Sequence, residues 1–134
     1  MTKDAAILQW SLRAGAGYFT AIALAHTVGA KVPGLFIYFS VPSYPYQDHI
    51  IAFLAFGWAA FYFVASVDPA GNALVVRGVL LSSMVAIAGL VRINLLDELD
   101  AISPGVNLHY FWLQTAVLFV YVFWLIVFSM KTRR

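Results

Sequence analysis

Five ionisable residues of this 134-residue chain have side chains suited to proton transfer or ligand binding. They are His26, Asp48, His49, Arg92 and His109. An imidazole titrates near neutral pH and can donate or accept a proton, while a nearby carboxylate or guanidinium fixes its charge. Each of the five lies near the end of a long apolar stretch. We therefore expect them to gather at one depth, where they are the best candidates for a ligand-binding site.

Three interpretations of this cluster stay open. In the plainest one, the histidines only contact headgroups or water at helix ends, and Arg92 snorkels and pairs with Asp97 or Asp48. In the second, a histidine binds a quinone carbonyl or relays a proton. In the third, histidines from different helices ligate haem b or a divalent metal, although no His-x-x-x-His or Glu-x-x-His spacing supports this.

Two aromatic stripes follow helical spacing and give a second candidate surface. One consists of Tyr110, Gln114, Val117, Tyr121 and Trp124, and the other of His49, Phe53, Phe56, Ala60 and Phe63. Such stripes either pack or contact lipid, or they form a wall around a flat apolar ligand such as a quinone. Gln114 favours the wall, because an amide inside hydrocarbon needs a partner. We therefore add Gln114 and Tyr110 to the ligand-binding candidates.

The elements that position these residues follow from composition. Hydrophobic residues make up 63% of the chain and charged residues 10%, whereas a soluble domain has about 25% charged residues. A bilayer crossing needs about 20 apolar residues, so the chain predicts one all-α domain, a four-transmembrane-helix bundle with helices at about 7–30, 49–67, 73–94 and 108–130. The lipid bilayer is its first partner, and its scattered basic residues argue against nucleic acid.

Orientation follows from the bias of Lys and Arg, which favours the cytoplasmic side. With both termini in the cytoplasm, only Lys31 and Arg92 among the eight Lys and Arg residues lie outside. We expect the plasma (inner) membrane of a bacterium. We also expect a retained first helix rather than a cleaved signal, because its apolar run continues past Ala23-Leu24-Ala25 to Val32.

The two outer connections differ in character. Residues 31–47 contain three prolines and five aromatic residues, which predicts an aromatic outer loop in the membrane interface between the first two helices. Residues 95–106 include Asp97, Glu98 and Asp100 and predict an acidic cap over the same end. Small residues every four positions, from Gly17 to Gly29 and from Gly78 to Ala86, predict that the first and third helices form the tightest pair.

The first helix also carries a recognisable pattern. It opens with Leu12-Arg13-Ala14-Gly15-Ala16-Gly17 and ends with His26-Thr27-Val28-Gly29-Ala30-Lys31. This resembles the DoxX-like group of small four-helix membrane proteins, although Thr27 and Val28 separate His26 from Gly29. The resemblance implies quinone or partner-protein roles, since some members of the group are subunits of a quinone-reducing thiosulfate oxidoreductase. It identifies no catalytic residue.

The function that these patterns favour is a small integral membrane subunit or accessory protein of a redox, quinone-linked or lipid-linked assembly. One alternative is a self-contained membrane oxidoreductase or isomerase that uses the outer histidines and Arg92. Another is a homo-oligomeric channel or transporter, because the small-residue stripe also suits self-association. The chain has no cysteine, which excludes thiolate catalysis and iron–sulfur clusters. The sequence identifies no cofactor, although a quinone fits the pattern better than haem b does.

Overall fold

Four helices form the architecture of the computed structural model, which describes residues 2–96, 99 and 103–132. They are α1 (Lys3–Thr27), α2 (Pro45–Val67), α3 (Ala73–Leu95) and α4 (Leu108–Thr132). The described residues contain no β-strand, so the predicted all-α bundle is confirmed. Asp97, Glu98 and Asp100 of the predicted acidic cap, and Arg133 and Arg134, lie outside the described residues.

Two helices begin about one turn earlier than the apolar pattern predicts, because polar side chains satisfy their first backbone amides. The Thr2 hydroxyl accepts a hydrogen bond from the Ala5 amide at 3.2 Å and starts α1 at Lys3. The Gln47 side chain accepts from the Tyr44 amide at 2.9 Å, and Pro45 occupies the first turn of α2. Hydropathy marks where a crossing lies, whereas these caps decide where the helix begins.

Three helices, α2, α3 and α4, are long and apolar enough to cross a membrane. The sequence pattern predicts four crossings, and α1 does not reach the same apolar content. Its 25 residues include Gln9, Arg13 and His26 together with many small side chains. The structure therefore supports a helical bundle with three candidate spans.

The four helices pack in a ring. Helix α1 packs most extensively on α2, α2 contacts α3, α3 contacts α4, and α4 returns to α1. Within the described residues the backbones of α1 and α3 lie across the ring and do not approach each other closely, so the prediction of a tight pair between them is wrong. The reason is the direction of the small-residue stripe, since Gly17, Ala21 and Gly29 are exposed.

The close approach of α1 and α2 uses a different set of small residues. The buried alanines of α2 are Ala52, Ala55, Ala59 and Ala65, and the small buried residues of α1 are Gly15, Ala16 and Ala23. Small side chains let two helix backbones approach, which maximises dispersion contacts where the hydrophobic effect is weak.

The two ends of the bundle differ in packing. We call the end where α1 begins and α4 ends the terminus end, and the opposite one, beside residues 28–44, the loop end. A close-packed core fills the terminus end with residues from all four helices: Leu8, Leu12, Tyr62, Ala65, Val76, Val79, Leu125 and Phe128. The remaining half of the bundle, toward the loop end, is more open.

The aromatic loop, residues 28–44, is tied to three helices. The Tyr18 hydroxyl of α1 donates to the Leu35 carbonyl at 3.0 Å, and the Gln114 amide of α4 donates to the Phe36 carbonyl at 3.1 Å. The Tyr38 hydroxyl donates to Asn94 Oδ1 on α3 at 3.0 Å. Gly34 has a φ of 84°, a conformation that glycine adopts without strain and that lets the loop turn back on itself.

Candidate functional site

Asp48 is the centre of a polar cluster at the loop end. One of its oxygens lies 3.0 Å from His26 Nδ1 and 3.7 Å from Lys31 Nζ, and the Ser43 hydroxyl donates to both oxygens at 3.0 and 3.1 Å. Lys31 also donates to the Ser43 hydroxyl. These four residues, which we call the Asp48 cluster, join the last turn of α1, the loop and the first turn of α2.

Burial makes this cluster energetically important. His26 and Asp48 are each only 9% exposed, and the His26 ring stacks on Phe36 with centroids 4.3 Å apart. A buried carboxylate is stable only where hydrogen bonds and opposite charge replace its hydration. The Asp48 carboxylate has three such partners, so the cluster can hold the loop against two helices.

A cavity of about 520 Å³ lies between the four helices and extends from the middle of the bundle to the loop. Its volume falls in the range of small-molecule sites. The walls are mainly apolar and come from every helix, with Gly34 and Ile37 contributed by the loop. Representative wall residues are Phe19, Trp58, Ile87, Leu90, Leu113 and Val117.

Aromatic rings form one wall of this cavity. Phe19 on α1 stacks on Trp58 of α2 at 5.8 Å with an interplanar angle of 21°, and it lies 5.4 Å from the Tyr62 ring. Gly15 makes this arrangement possible, because a methyl group at its α-carbon would lie 2.6 Å from Tyr62 and closer still to the Tyr121 hydroxyl. Offset aromatic surfaces of this kind favour flat ligands.

The few polar groups of the cavity wall are mostly paired. The Tyr62 hydroxyl and Ser83 Oγ are 3.1 Å apart, and the Tyr121 hydroxyl donates to the Ser11 carbonyl at 2.8 Å. Gln114 differs from them. Its Nε2 donates to the Phe36 carbonyl, whereas its Oε1 is buried and has no hydrogen-bond partner among the described residues. The Gln114 side chain therefore carries one buried acceptor without a partner among the described residues.

The residues predicted as one site are divided between two places. His26 and Asp48 meet in the Asp48 cluster, and Gln114 and Tyr110 line the cavity. The other three, His49, Arg92 and His109, are exposed and line neither place. Over the described ranges there is no group of three His, Cys, Asp or Glu side chains placed to hold a metal ion.

The two predicted aromatic stripes also have different surroundings. On α4, Tyr110, Gln114, Val117 and Tyr121 line the cavity, while Trp124 is exposed and donates to Ser11 Oγ at 3.1 Å. The α2 stripe of His49, Phe53, Phe56, Ala60 and Phe63 is exposed throughout. The cavity wall of α2 consists of Trp58 and Tyr62 instead.

Sequence reasoning missed several residues of both places. Ser43 gives no signal in a loop, because its role depends on where Asp48 lies. Ser83, a hydroxyl inside an otherwise apolar helix, and Tyr18 and Tyr62, with polar tips at mid-helix, do give a signal. Each needs a hydrogen-bond partner in an apolar medium, and searching for such groups would have directed attention to the cavity.

Comparison of the chain with known protein families, with described proteins and with solved structures finds no match. The DoxX-like resemblance stays a prediction that depends on the first-helix residues. Function therefore has to be inferred from the cavity and the Asp48 cluster.

Proposed function

We propose that this protein is a small integral membrane protein that binds a flat, apolar ligand of the quinone or lipid class, as a subunit or accessory protein of a larger membrane assembly. The observation that supports it most is the cavity of about 520 Å³ with an aromatic wall. Packed protein interiors contain few voids larger than a water molecule. A space of this size among four helices is suited to a ligand that dissolves in the bilayer.

The proposal includes a fourth crossing by α1. Its two ends are tied to the two ends of α2, by the Gln9 amide donating to the Val67 carbonyl at 3.3 Å and by the pair of His26 and Asp48. A helix that runs beside a candidate span over its whole length shares its environment. Arg13 fits this arrangement because it is exposed near the terminus end, 4.8 Å from the Trp10 ring, where a long side chain reaches headgroups.

The subunit role is supported by the exposed faces of the bundle. Large apolar side chains such as Phe53, Phe56 and Phe63 on α2 and Phe119 and Phe123 on α4 point away from the core. These faces suit acyl chains or the helices of a partner. The resemblance of the first helix to DoxX-like proteins adds weight to a quinone-linked assembly, with both termini in the cytoplasm by the bias of Lys and Arg.

The geometry gives less support to the enzyme and channel alternatives. His26 is paired with Asp48 and stacked on Phe36, whereas Arg92 is exposed, so the outer histidines and Arg92 do not form a common reaction centre. The cavity is walled mainly by apolar side chains, which offer an ion no replacement for its hydration.

Extraction of the purified protein tests the ligand. The protein is purified in mild detergent, and its organic extract is analysed by mass spectrometry beside extracts of two variants. Ala86→Phe fills the cavity, whereas Ala88→Phe adds the same side chain to an exposed position of α3 that does not line it. We expect an isoprenoid quinone or lipid near one per chain in the wild type and Ala88→Phe, and its loss in Ala86→Phe. Equal contents in all three proteins would refute the cavity as the site.

Co-purification tests the subunit role separately. The size of the detergent-solubilised particle and the identity of co-purifying chains are measured from native membranes at low detergent. We expect a larger particle with other membrane proteins present. A lone monomer that still holds its ligand would contradict the subunit role and leave the binding role standing.

A further inference from the structure

We infer that the cavity holds the compact head of a ligand whose long apolar chain leaves between α1 and α4 and lies in the bilayer. This inference depends on the proposed function, because it names the class of ligand that the same cavity takes. Its basis is an opening between these two helices, with Ala14 of α1 on one side and Val117 of α4 on the other, which we call the lateral window.

One stripe of α4 faces α1. Four of its side chains recur at intervals of four, four and three residues, which places them on one side of the helix: Leu113, Val117, Tyr121 and Trp124. The last two contact α1 directly, because the Tyr121 hydroxyl donates to the Ser11 carbonyl at 2.8 Å and Trp124 Nε1 donates to Ser11 Oγ at 3.1 Å. Val117 and Leu113 therefore lie on the α1 side of α4 as well, one and two turns closer to the loop.

The facing stripe of α1 leaves a gap opposite these residues. Ala14 is three residues after Ser11 and four before Tyr18, so the three lie on the side of α1 that faces α4. Ala14 lines the cavity and is exposed, and Leu113 and Val117 line it while 61% and 60% exposed. Alanine has a single methyl group, so Ala14 can meet both the cavity and the outside only at the edge of an opening.

Hydrogen bonds join the two helices on either side of the lateral window. Toward the terminus end, the contacts of Ser11 hold them together. Toward the loop end, the Tyr18 hydroxyl of α1 and the Gln114 amide of α4 donate to consecutive carbonyls of the loop at 3.0 and 3.1 Å, so the loop bridges the helices there. Between Ser11 and Tyr18 the helix rises about 10 Å. A single hydrocarbon chain fits this height, because its carbons contact their neighbours at about 4 Å.

The depth of the lateral window determines what can lie in it. Val117 is nine residues after Leu108, where the candidate span α4 begins, which corresponds to about 14 Å along the helix. This depth is near the middle of a hydrocarbon core of about 30 Å. The window therefore opens on acyl chains. An apolar chain passes through it without loss of hydration, whereas a polar group would lose its own.

The size of the cavity requires such an exit for the ligands that a bilayer contains. Its volume of about 520 Å³ suits a drug-sized head, whereas lipids and isoprenoid quinones also carry chains too long to fold into that space. Ala86 of α3 marks a second exposed edge of the cavity. There the α2 side carries the large Trp58 ring, whereas the α1 side of the lateral window carries only the methyl group of Ala14.

Two matched substitutions test the position of the chain. Val117→Trp places a large ring in the lateral window, and Val120→Trp places the same ring at a similarly exposed position of α4 that does not line the cavity. Each protein is freed of endogenous lipid and placed in phosphatidylcholine nanodiscs. Calorimetry against empty nanodiscs measures the binding of duroquinone and of its decyl analogue, in which a decyl chain replaces one ring methyl. Partition into the lipid cancels when variants are compared with the same probe.

The two probes separate the chain from the head. We expect Val117→Trp to bind the decyl analogue about tenfold more weakly than the wild type does, because the ring and the chain compete for one space. Its affinity for duroquinone should not change, and Val120→Trp should bind both probes as the wild type does. An equal loss for both probes, or no loss for either, overturns the inference and leaves ligand binding intact.

Thiol labelling gives a second measurement that does not depend on how well the tryptophan variant folds. The chain has no cysteine, so Val117→Cys and Val120→Cys each carry one thiol, whose reaction with a methanethiosulfonate is followed by mass spectrometry. The decyl analogue or monoolein should slow labelling of Val117→Cys severalfold and leave Val120→Cys unchanged, whereas duroquinone should slow neither. The probe that slows labelling identifies a quinone or a glycerolipid as the source of the chain.

The remaining outcomes separate the inference from the proposal beneath it. Slower labelling of Ala86→Cys instead of Val117→Cys would place the chain between α2 and α3 and overturn the inference. Failure of every probe to bind the wild type, together with no ligand in the native extract, overturns the proposed function as well.

Discussion

The Asp48 cluster and the cavity both contact the aromatic loop, yet their polar atoms have different surroundings. In the cluster, His26, Lys31 and Ser43 all converge on one carboxylate. In the cavity, one amide oxygen of Gln114 has no partner among the described residues. A satisfied buried network stabilises a fold, whereas a buried acceptor without a partner destabilises it.

This difference teaches where a function is to be sought in the molecule. Ionisable residues were the first candidates in the sequence, but the structure uses His26 and Asp48 to join α1, the loop and α2. A neutral amide and a set of aromatic rings line the cavity of about 520 Å³ between the helices. Substitutions in the cluster should therefore change stability, and substitutions that fill the cavity should change ligand binding.

The largest effect is expected from Asp48→Ala. It leaves the buried His26 without its partner and frees Lys31 and Ser43, and breaking a buried pair from one side typically costs about 3 kcal/mol. Unfolding by dodecyl sulfate titration in mild-detergent micelles measures the loss. His49→Ala is the control, because His49 follows Asp48 in the sequence and its side chain is exposed. This substitution should change stability by less than about 0.5 kcal/mol. An equal loss of stability in both variants would show that the cluster does not hold the loop and the two helices together.

A smaller loss is expected from Gly15→Ala in the cavity wall. The added methyl group would lie 2.6 Å from the Tyr62 ring, and such overpacking costs about 1 to 3 kcal/mol. Gly17→Ala is the matched control two residues away, since nothing lies within 4 Å of the added carbon. The same titration should leave Gly17→Ala at or above wild-type stability. If Gly15→Ala left the stability unchanged, the Tyr62 and Tyr121 side chains would be able to move aside at little cost.

A third effect concerns Tyr38, which ties the loop to α3. Burial raises the pKa of Tyr38 from 10.0 to about 12, so the folded protein favours the neutral phenol. Its stabilising contribution is complete below pH 10 and is lost as the pH rises through about 12.

Phenolate absorbance measures this directly. The difference between the wild type and Tyr38→Phe should titrate near pH 12 in the folded protein and near pH 10 in denaturant. Tyr38→Phe itself should cost about 1 kcal/mol, because Asn94 loses a donor. If the difference spectrum titrated at the same pH in the folded and the denatured protein, the Tyr38 hydroxyl would not be buried in its contact with Asn94.

The smallest effect on stability is expected from Gln114→Met. The variant loses the bond to the Phe36 carbonyl but also removes a buried acceptor without a partner. These two terms oppose each other, so the free energy of unfolding should change by less than about 0.5 kcal/mol in the ligand-free protein. A loss of stability as large as that of Asp48→Ala would mean that Gln114 also holds the fold together. The contrast between the two regions would then not hold.

The sequence predicted the elements better than their contacts. Helices α2, α3 and α4 begin and end within a few residues of the bounds that the apolar stretches predict. The agreement is good because a crossing needs a fixed length of apolar chain. The sequence also predicted that Gln114 would need a partner. The sequence pattern predicted His49 and Asp48 in one site. Successive residues of a helix point about 100° apart, however, and of these two only Asp48 faces inward.

The small-residue stripe of α1 failed as a predictor for a related reason. In a soluble helix the polar face shows which side is outside, whereas lipid and protein interior are both apolar, so the pattern of α1 does not reveal its partner. Gly17 and Ala21 look as suited to an interface as Gly15 and Ala16, but only the latter two are buried. The rotation of the helix decides between them.

Composition alone determined that these segments are helical, that they suit an apolar medium and where each approximately lies, because the bilayer fixes length and demands internal hydrogen bonding. Which side chains meet was decided by the tertiary structure. The ring order of the helices brings His26 to Asp48, leaves His49, Arg92 and His109 at the surface, and opens a cavity beside Gln114. Contacts between distant residues depend on helix rotation and neighbour choice, neither of which an evenly apolar sequence specifies.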